Sequence, residues 1–112
     1  SDPYLAMNMM GILSSRLREF AQTIENLSLR GVPERLATYL LHLQGLKNGA
    51  DMFDLDIKKG VLANLLGTTG ESVSRTLARM SEAGLIEVHG KRITLLKRRP
   101  LEEIAAGRRK LD

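Results

Sequence analysis

Three polar residues, Glu71, Ser74 and Arg75, have types and spacing suited to recognising the edges of base pairs. Residues three and four positions apart lie on one face of an α-helix, so these side chains would project together. An arginine can donate two hydrogen bonds to guanine O6 and N7, a glutamate can accept from the amino group of cytosine, and a serine can reach a base edge or a phosphate. The pattern indicates a surface that reads nucleic acid through hydrogen bonds.

The same spacing also fits a plain surface ion pair between Glu71 and Arg75. Such a pair stabilises an exposed helix by only about 0.2–0.5 kcal/mol. The two interpretations are compatible, because one exposed pair can serve both roles. Whether these residues also read base pairs depends on the elements that surround them.

A corner between two helices is predicted within the segment 57–80, IKKGVLANLLGTTGESVSRTLARM. The first helix is expected over about 58–66 and the second over about 70–83, where Gly84 ends it. Gly67-Thr68-Thr69 forms the connection between them. Two helices joined by so short a turn indicate a helix-turn-helix, with the second helix as the recognition helix.

The residue types around the corner meet its geometric demands. Ala63 is small where the helices must approach, and Gly67 tolerates the positive φ that the turn requires. Thr69 can cap the second helix with its hydroxyl, and Glu71 suits the positive end of the helix. The inward residues are Leu62, Leu66, Val73, Leu77 and Met80, which leaves an outward face of Gly70, Glu71, Ser74, Arg75 and Ala78.

A β-hairpin is predicted directly after the recognition helix. The apolar segments 85–88 and 92–96 flank His89-Gly90-Lys91, and a glycine between two such segments is typical of a hairpin turn. The hairpin makes this a winged helix-turn-helix. Phosphate contacts are expected at the hairpin tip and at the start of the recognition helix, from His89, Lys91, Arg92, Thr69 and Ser72.

Positive charge is concentrated in the part of the chain that contains these elements. The 112 residues carry a formal net charge of +4, but residues 58–99 hold nine basic and three acidic residues, a net +6, whereas residues 1–57 have a net −2. A concentrated positive field raises the local concentration of polyanions and supports binding to phosphates. This charge pattern agrees with a nucleic-acid partner.

The remaining elements complete a small, mainly helical domain with little β-structure. Pro33 is expected to open a helix whose inward face is Leu36, Tyr39, Leu40 and Leu43. A short half-buried strand is predicted over 53–57, and Pro100 is expected to start a last helix with Leu101 and Ile104 facing inward. Residues 107–110 are expected to form a frayed tail.

The first thirty residues predict a long helix, from about Tyr4 to about Leu29. Its apolar residues recur at alternating spacings of four and three, which is the pattern of a helix that pairs with another helix. We therefore expect residues 1–30 to be a dimerisation helix and residues 31–112 to be the winged helix-turn-helix domain. An ordinary amphipathic helix that packs on its own domain is the alternative. The seam residues are Ala6, Met10, Leu13, Leu17, Phe20, Ile24 and Leu27.

Several classes of protein find no support in the sequence. It has no cysteine, no secretory leader and no apolar run near the roughly 18 residues needed to span a membrane, so we expect a cytoplasmic protein without a membrane partner. No clustered Cys, His or carboxylate spacing suits a catalytic or structural metal. We expect this part of the protein to be no enzyme and to need no cofactor.

At this length and order of motifs, the chain resembles the C-terminal part of the cyclic-AMP receptor protein and fumarate/nitrate regulator (CRP/FNR) superfamily. The resemblance rests on VPERLATYLLHL, LANLLGTTGESVSRTLARMSEAGLIEVHGKRITL and LEEIA. It implies a bacterial transcription regulator that acts as a homodimer, with an N-terminal β-barrel sensor joined to the DNA-binding domain by paired long helices. On that basis we expect the sensor to precede this sequence, which would begin partway along the dimerisation helix.

The resemblance also suggests what the recognition helix reads. ESVSR at 71–75 is similar to the Glu-x-x-Ser-Arg pattern of the fumarate/nitrate branch, whose half-sites begin TTGA, so Glu71, Ser74 and Arg75 take base-reading roles by motif match. The cyclic-AMP branch has an arginine where this chain has Gly70, which argues against its TGTGA half-site. Lys58 replaces the usual Ser or Thr cap of the first helix, and Asp56 is expected to supply that cap instead.

The sequence thus predicts a two-fold dimer on a pseudo-palindromic duplex, with RNA polymerase as a further candidate partner. The alternative is a winged-helix module that binds protein and uses its basic hairpin only for solubility. Salt dependence separates the two, since phosphate contacts make DNA affinity fall steeply with salt.

Overall fold

Four helices and a three-stranded antiparallel sheet make up the part of the chain that the computed structural model describes, residues 31–111. The predicted fold class, a mainly helical winged helix-turn-helix, is confirmed. The predicted dimerisation helix lies outside the described residues and stays a prediction. In chain order the elements are α1 (Val32–Leu46), β1 (Met52–Asp54), α2 (Lys59–Leu66), α3 (Gly70–Glu82), β2 (Ile86–His89), β3 (Arg92–Leu95) and α4 (Arg98–Ala105).

Helix α1 is the central support of the domain. It starts where predicted, with Pro33 in its first turn, where a missing N–H leaves no hydrogen bond unmade. Its predicted inward face is confirmed, and α4, α2 and α3 all pack against it. The four inward residues are at most 2% exposed: Leu36, Tyr39, Leu40 and Leu43.

The sheet has the order β1-β3-β2, so the predicted short strand joins the hairpin at the outer side of β3. That strand is shorter than the predicted 53–57: its register with β3 ends at Asp54, which lies opposite Arg92, the first residue of β3. The turn is also tighter than predicted: His89 pairs with Arg92, which leaves only Gly90-Lys91 in the connection.

The predicted Asp56 cap of α2 is wrong. Lys58 occupies the N-cap position and no side chain caps the helix. Asp56 instead accepts a hydrogen bond from the hydroxyl of Tyr39, whose side chain is 2% exposed. A buried hydroxyl needs a hydrogen-bond partner. Burial, together with this bond to Asp56, raises the pKa of Tyr39 above its ordinary value, so the hydroxyl stays protonated and remains a donor.

The corner between α2 and α3 forms as the residue types predict. Gly67 has φ +72° and ψ 34°, and the amide of Thr68 donates to the Ala63 carbonyl at 2.8 Å. Thr69 caps α3, because its hydroxyl oxygen accepts from the Ser72 amide at 3.1 Å. The predicted shared core is confirmed, with exposures of at most 2% for Leu62, Ala63, Leu66, Val73, Leu77 and Met80.

We expect Gly67→Ala to destabilise the domain by about 1–2 kcal/mol, because an L-residue is strained in the left-handed region. A Cβ at Gly67 would also lie 3.4 Å from Nη1 of Arg35. Gly60→Ala is the matched control: a Cβ there meets nothing within 4 Å, and the change should stabilise the domain by about 0.4–1 kcal/mol. Urea unfolding of both variants measures the two effects. Shifts of the same sign would contradict the assigned role of Gly67.

The C-terminal part departs from the prediction in two ways. Helix α4 starts at Arg98 and not at Pro100. Proline is tolerated inside the first turn, because the amides of that turn have no partner within the helix and proline lacks only an amide donor. The tail is not frayed either: Leu111 is 6% exposed and belongs to the hydrophobic core. Leu101 and Ile104 face inward as predicted.

Candidate nucleic-acid interface

Helix α3 presents one apolar and one polar face, and the polar face is open to solvent. Glu71, Ser74, Arg75 and Ala78 are exposed, and Gly70 is half-buried. Val73, Leu77 and Met80 hold the opposite face against the core, each at most 2% exposed. The predicted outward face is therefore outward in the folded domain.

Glu71 and Arg75 form the ion pair that the spacing allows. Nη1 of Arg75 lies 3.9 Å from Oε1 of Glu71, and the side chains are 70% and 82% exposed, respectively. Exposed pairs of this kind are typically worth at most about 1 kcal/mol. Breaking the pair would therefore cost little free energy, so the pair does not compete strongly with hydrogen bonds to a base edge.

The start of α3 carries two of the expected phosphate contacts. Thr69 is exposed and Ser72 is half-buried. The Thr69 oxygen is occupied as the acceptor of the cap, but a hydroxyl keeps its own hydrogen to donate. The first-turn amides and the positive end of the helix dipole face the same region, which favours an anion there.

The hairpin tip holds the other three expected contacts. Nε2 of His89 lies 3.4 Å from Oε1 of Glu87, and Nε of Arg92 donates to Oδ1 of Asp54 at 3.0 Å. Arg92 is still 57% exposed, and the rest of its guanidinium can donate elsewhere. Within residues 31–111, the Lys91 side chain is exposed and makes no hydrogen bond or ion pair.

The structure therefore divides the eight predicted site residues between two elements. Five lie on α3 or its cap, and three lie at the tip formed by β2 and β3. Strand β2 packs against α3, which fixes the hairpin relative to the helix. The two groups of site residues need not contact each other. One duplex could meet both groups, because the base edges in a groove are separated from the phosphates that flank it.

Two features of the site were missed from the sequence. The guanidinium of Arg35, on α1, donates to the Leu66 carbonyl at 2.7 Å and so satisfies an end carbonyl of α2 at the corner. Residues 35 and 66 are too far apart in sequence for spacing to reveal this bond. Lys58 and Lys59 are exposed at the start of α2, beside a helix end that no side chain caps. Only this position in the folded domain identifies them as candidate phosphate contacts.

Neither a metal site nor a membrane span emerges from the described range. Within residues 31–111 no three His, Cys, Asp or Glu side chains are grouped so that they could hold a metal ion. Over the same range, no helix combines the length and apolar character that crossing a bilayer requires.

Proteins of known sequence are similar to this chain over almost its whole length. The chain is 32% identical over 109 residues to the transcriptional activator protein FnrA of Stutzerimonas stutzeri, covering 94% of this chain and 45% of that protein. It is also 32% identical over 107 residues to the fumarate and nitrate reduction regulatory protein of Escherichia coli, covering 92% and 43%. The chain thus spans less than half the length of these relatives.

Solved structures of similar fold also match almost the whole chain. The catabolite activator protein of Thermus thermophilus matches with a TM-score of 0.59 and 34% identity, over 96% of this chain and 49% of that one. TTHA1359, a transcriptional regulator of the CRP/FNR family from the same organism, matches with a TM-score of 0.62 and 25% identity, over 96% and 57%. A family model described as the Crp-like helix-turn-helix domain covers residues 34–104, more than half of the chain. The chain belongs to this Crp-like helix-turn-helix family, within the CRP/FNR group of transcription regulators.

Proposed function

We propose that α3 enters the major groove of duplex DNA and reads base pairs through Glu71, Ser74 and Arg75. One observation carries the proposal: these three side chains are exposed together on a helix whose other face is buried in the core. An arginine with two free donors can discriminate guanine from the other bases by about 1–3 kcal/mol. The similarity of residues 71–75 to the fumarate/nitrate pattern favours a half-site that begins TTGA.

The surrounding polar groups supply affinity that does not depend on sequence. Thr69 and Ser72 would contact phosphates at the start of α3, and His89, Lys91 and Arg92 would contact them at the hairpin tip. Lys58 and Lys59 extend this set, because the first helix of a helix-turn-helix crosses the phosphate backbone. The net +6 of residues 58–99 supports such contacts through release of counterions.

The intact regulator would act in the cytoplasm as a homodimer paired through residues 1–30. Two copies of α3 would then enter successive major grooves about 34 Å apart and read the two halves of a pseudo-palindrome. RNA polymerase is the further partner that a regulator of this type would contact. Within this arrangement the domain binds DNA and catalyses no reaction.

Selection of bound sites from random duplex DNA tests the proposal, because it gives half-site, spacing and symmetry together. We expect enrichment of a two-fold symmetric site with TTGA half-sites. Affinity for that site should fall as salt rises, with a slope of about −0.9 per phosphate contact neutralised when the logarithm of the association constant is plotted against the logarithm of the salt concentration. No enriched site, together with binding that salt does not weaken, would overturn the proposal and favour a protein-binding module.

A further inference from the structure

The chain after α4 turns back to the recognition helix. Gly107, with φ +75°, adopts the left-handed conformation that closes the end of α4. Its amide donates to the Ile104 carbonyl at 2.9 Å, and the amide of Arg108 donates to the Glu103 carbonyl at 2.9 Å. Nη1 of Arg109 then bonds to Oε1 of Glu103 at 3.2 Å. Three bonds to α4 therefore set the direction of this segment.

Leu111 is the apolar anchor of the segment. It is 6% exposed, although residues 107–110 that lead to it are all exposed. It lines two adjoining depressions, one together with Arg79, Glu82 and Ala83, the other with Ala83, Leu85 and Ile104. The leucine thus lies between the last turn of α3 and the end of α4.

Arg79 completes the attachment from the side of α3. Its Nη2 donates to the Leu111 carbonyl at 2.6 Å, and the charge of the guanidinium makes this a charge-assisted hydrogen bond. Arg79 follows Arg75 by four residues and so lies one turn further along α3. The last turn of α3 is therefore bound to a segment that is itself bound to α4, and α4 packs on α1.

The consequence concerns how precisely α3 is held. The corner at Gly67 and the Thr69 cap fix the start of α3, and packing on α1 and β2 holds its buried face. The contacts of Leu111 and Arg79 add a hold on its last turn. Contacts that read bases require positions accurate to about 0.5 Å and about 10–20°. Contacts to phosphates place weaker demands on geometry, because much of their contribution comes from the release of counterions and a lysine acts as a point charge. Looser attachment of the last turn would therefore reduce discrimination more than overall affinity.

We propose that residues 107–111 are a strap that fixes the tilt of α3, with Leu111 and Arg79 as positioning residues for the reading of base pairs. The inference rests on the proposed DNA-reading role of α3. In it, Leu111 and Arg79 affect specificity through their hold on α3 and not through a contact with a base pair.

The first arm of the test measures amide hydrogen exchange without DNA. Leu111→Asp removes the anchor, and Leu96→Asp makes the same chemical change at a leucine that is 48% exposed. Amides of residues 79–85 should exchange faster in Leu111→Asp than in the wild type, and should be unchanged in Leu96→Asp. Equal exchange in all three proteins would overturn the proposal.

The second arm measures discrimination, as the ratio of affinities for the selected duplex and for a scrambled duplex of the same composition. Leu111→Asp and Arg79→Met should each lower this ratio at least about fivefold, the lower end of what one lost bidentate base contact costs. Arg79→Lys, which can still donate to the Leu111 carbonyl, should retain most of it, and Leu96→Asp should retain all of it.

The outcomes separate the strap from the function on which it rests. Parallel loss of affinity for both duplexes, or an Arg79→Lys variant as poor as Arg79→Met, would overturn the strap while DNA binding by α3 stands. A wild type that does not discriminate refutes the proposed function, and the exchange experiment still decides whether the strap holds α3. If Leu111→Asp does not fold, the exposed Arg79 variants decide both arms.

Discussion

Arg75→Ala is expected to weaken binding to the selected duplex by about 5- to 150-fold, which corresponds to about 1–3 kcal/mol for one bidentate contact to guanine. The loss should be specific, because Arg75 is 70% exposed and contributes nothing to the core. Discrimination should relax at a single base pair. Affinities measured on a set of duplexes, each with one base pair changed, identify that position.

Lys91→Ala is the contrasting variant for this experiment. Its side chain is exposed at the hairpin tip, so the change should weaken binding to all duplexes by a similar factor and reduce the salt slope by about one. An Arg75→Ala variant that loses affinity equally for the selected and the scrambled duplex would contradict the division of roles between α3 and the hairpin.

Leu66→Ala is expected to destabilise the domain by about 2–5 kcal/mol, the usual range when a buried leucine is truncated and leaves a cavity. Leu66 is fully buried where α2 meets α3, and its carbonyl receives the bond from Arg35. Small domains are commonly stable by only 5–15 kcal/mol, so this loss is a large part of the total. Urea unfolding followed by circular dichroism measures it.

Leu96→Ala is the matched control, because it is the same truncation at a leucine that is 48% exposed. Substitutions at such surface positions usually change stability by no more than about 0.5 kcal/mol. Comparable destabilisation in both variants would mean that Leu66 does not close the corner as the structure indicates.

Most of the corner and the outward face of α3 could be predicted, because both depend on neighbours in sequence. A glycine that must adopt positive φ, a threonine that caps the next helix and apolar residues at helical spacing act within about one or two turns. Once Val73, Leu77 and Met80 were assigned to the core, the exposure of Glu71, Ser74 and Arg75 followed from helix geometry alone. The roles of these three residues at a base pair remain predictions.

The wrong cap of α2 arose because one side chain had two available partners. Asp56 could cap α2 or accept from Tyr39, and local propensity favoured the cap. Burial of the Tyr39 hydroxyl reversed that choice, since an unpaired hydroxyl in the core costs about 1–3 kcal/mol, more than a typical cap contributes. Periodicity cannot register such a competition, because it does not show which groups the fold removes from water.

The amino-acid order alone determined the succession of elements, the helix-turn-helix and which face of α3 meets solvent. Only the folded chain decided that Arg35 supports the end of α2, that β1 joins β3, and that Leu111 returns to Arg79. The two arginine contacts span separations of 31 and 32 positions along the chain. Local patterns carry information over a few residues, whereas these contacts form only after α1 and α4 have packed together and brought distant segments within hydrogen-bond distance.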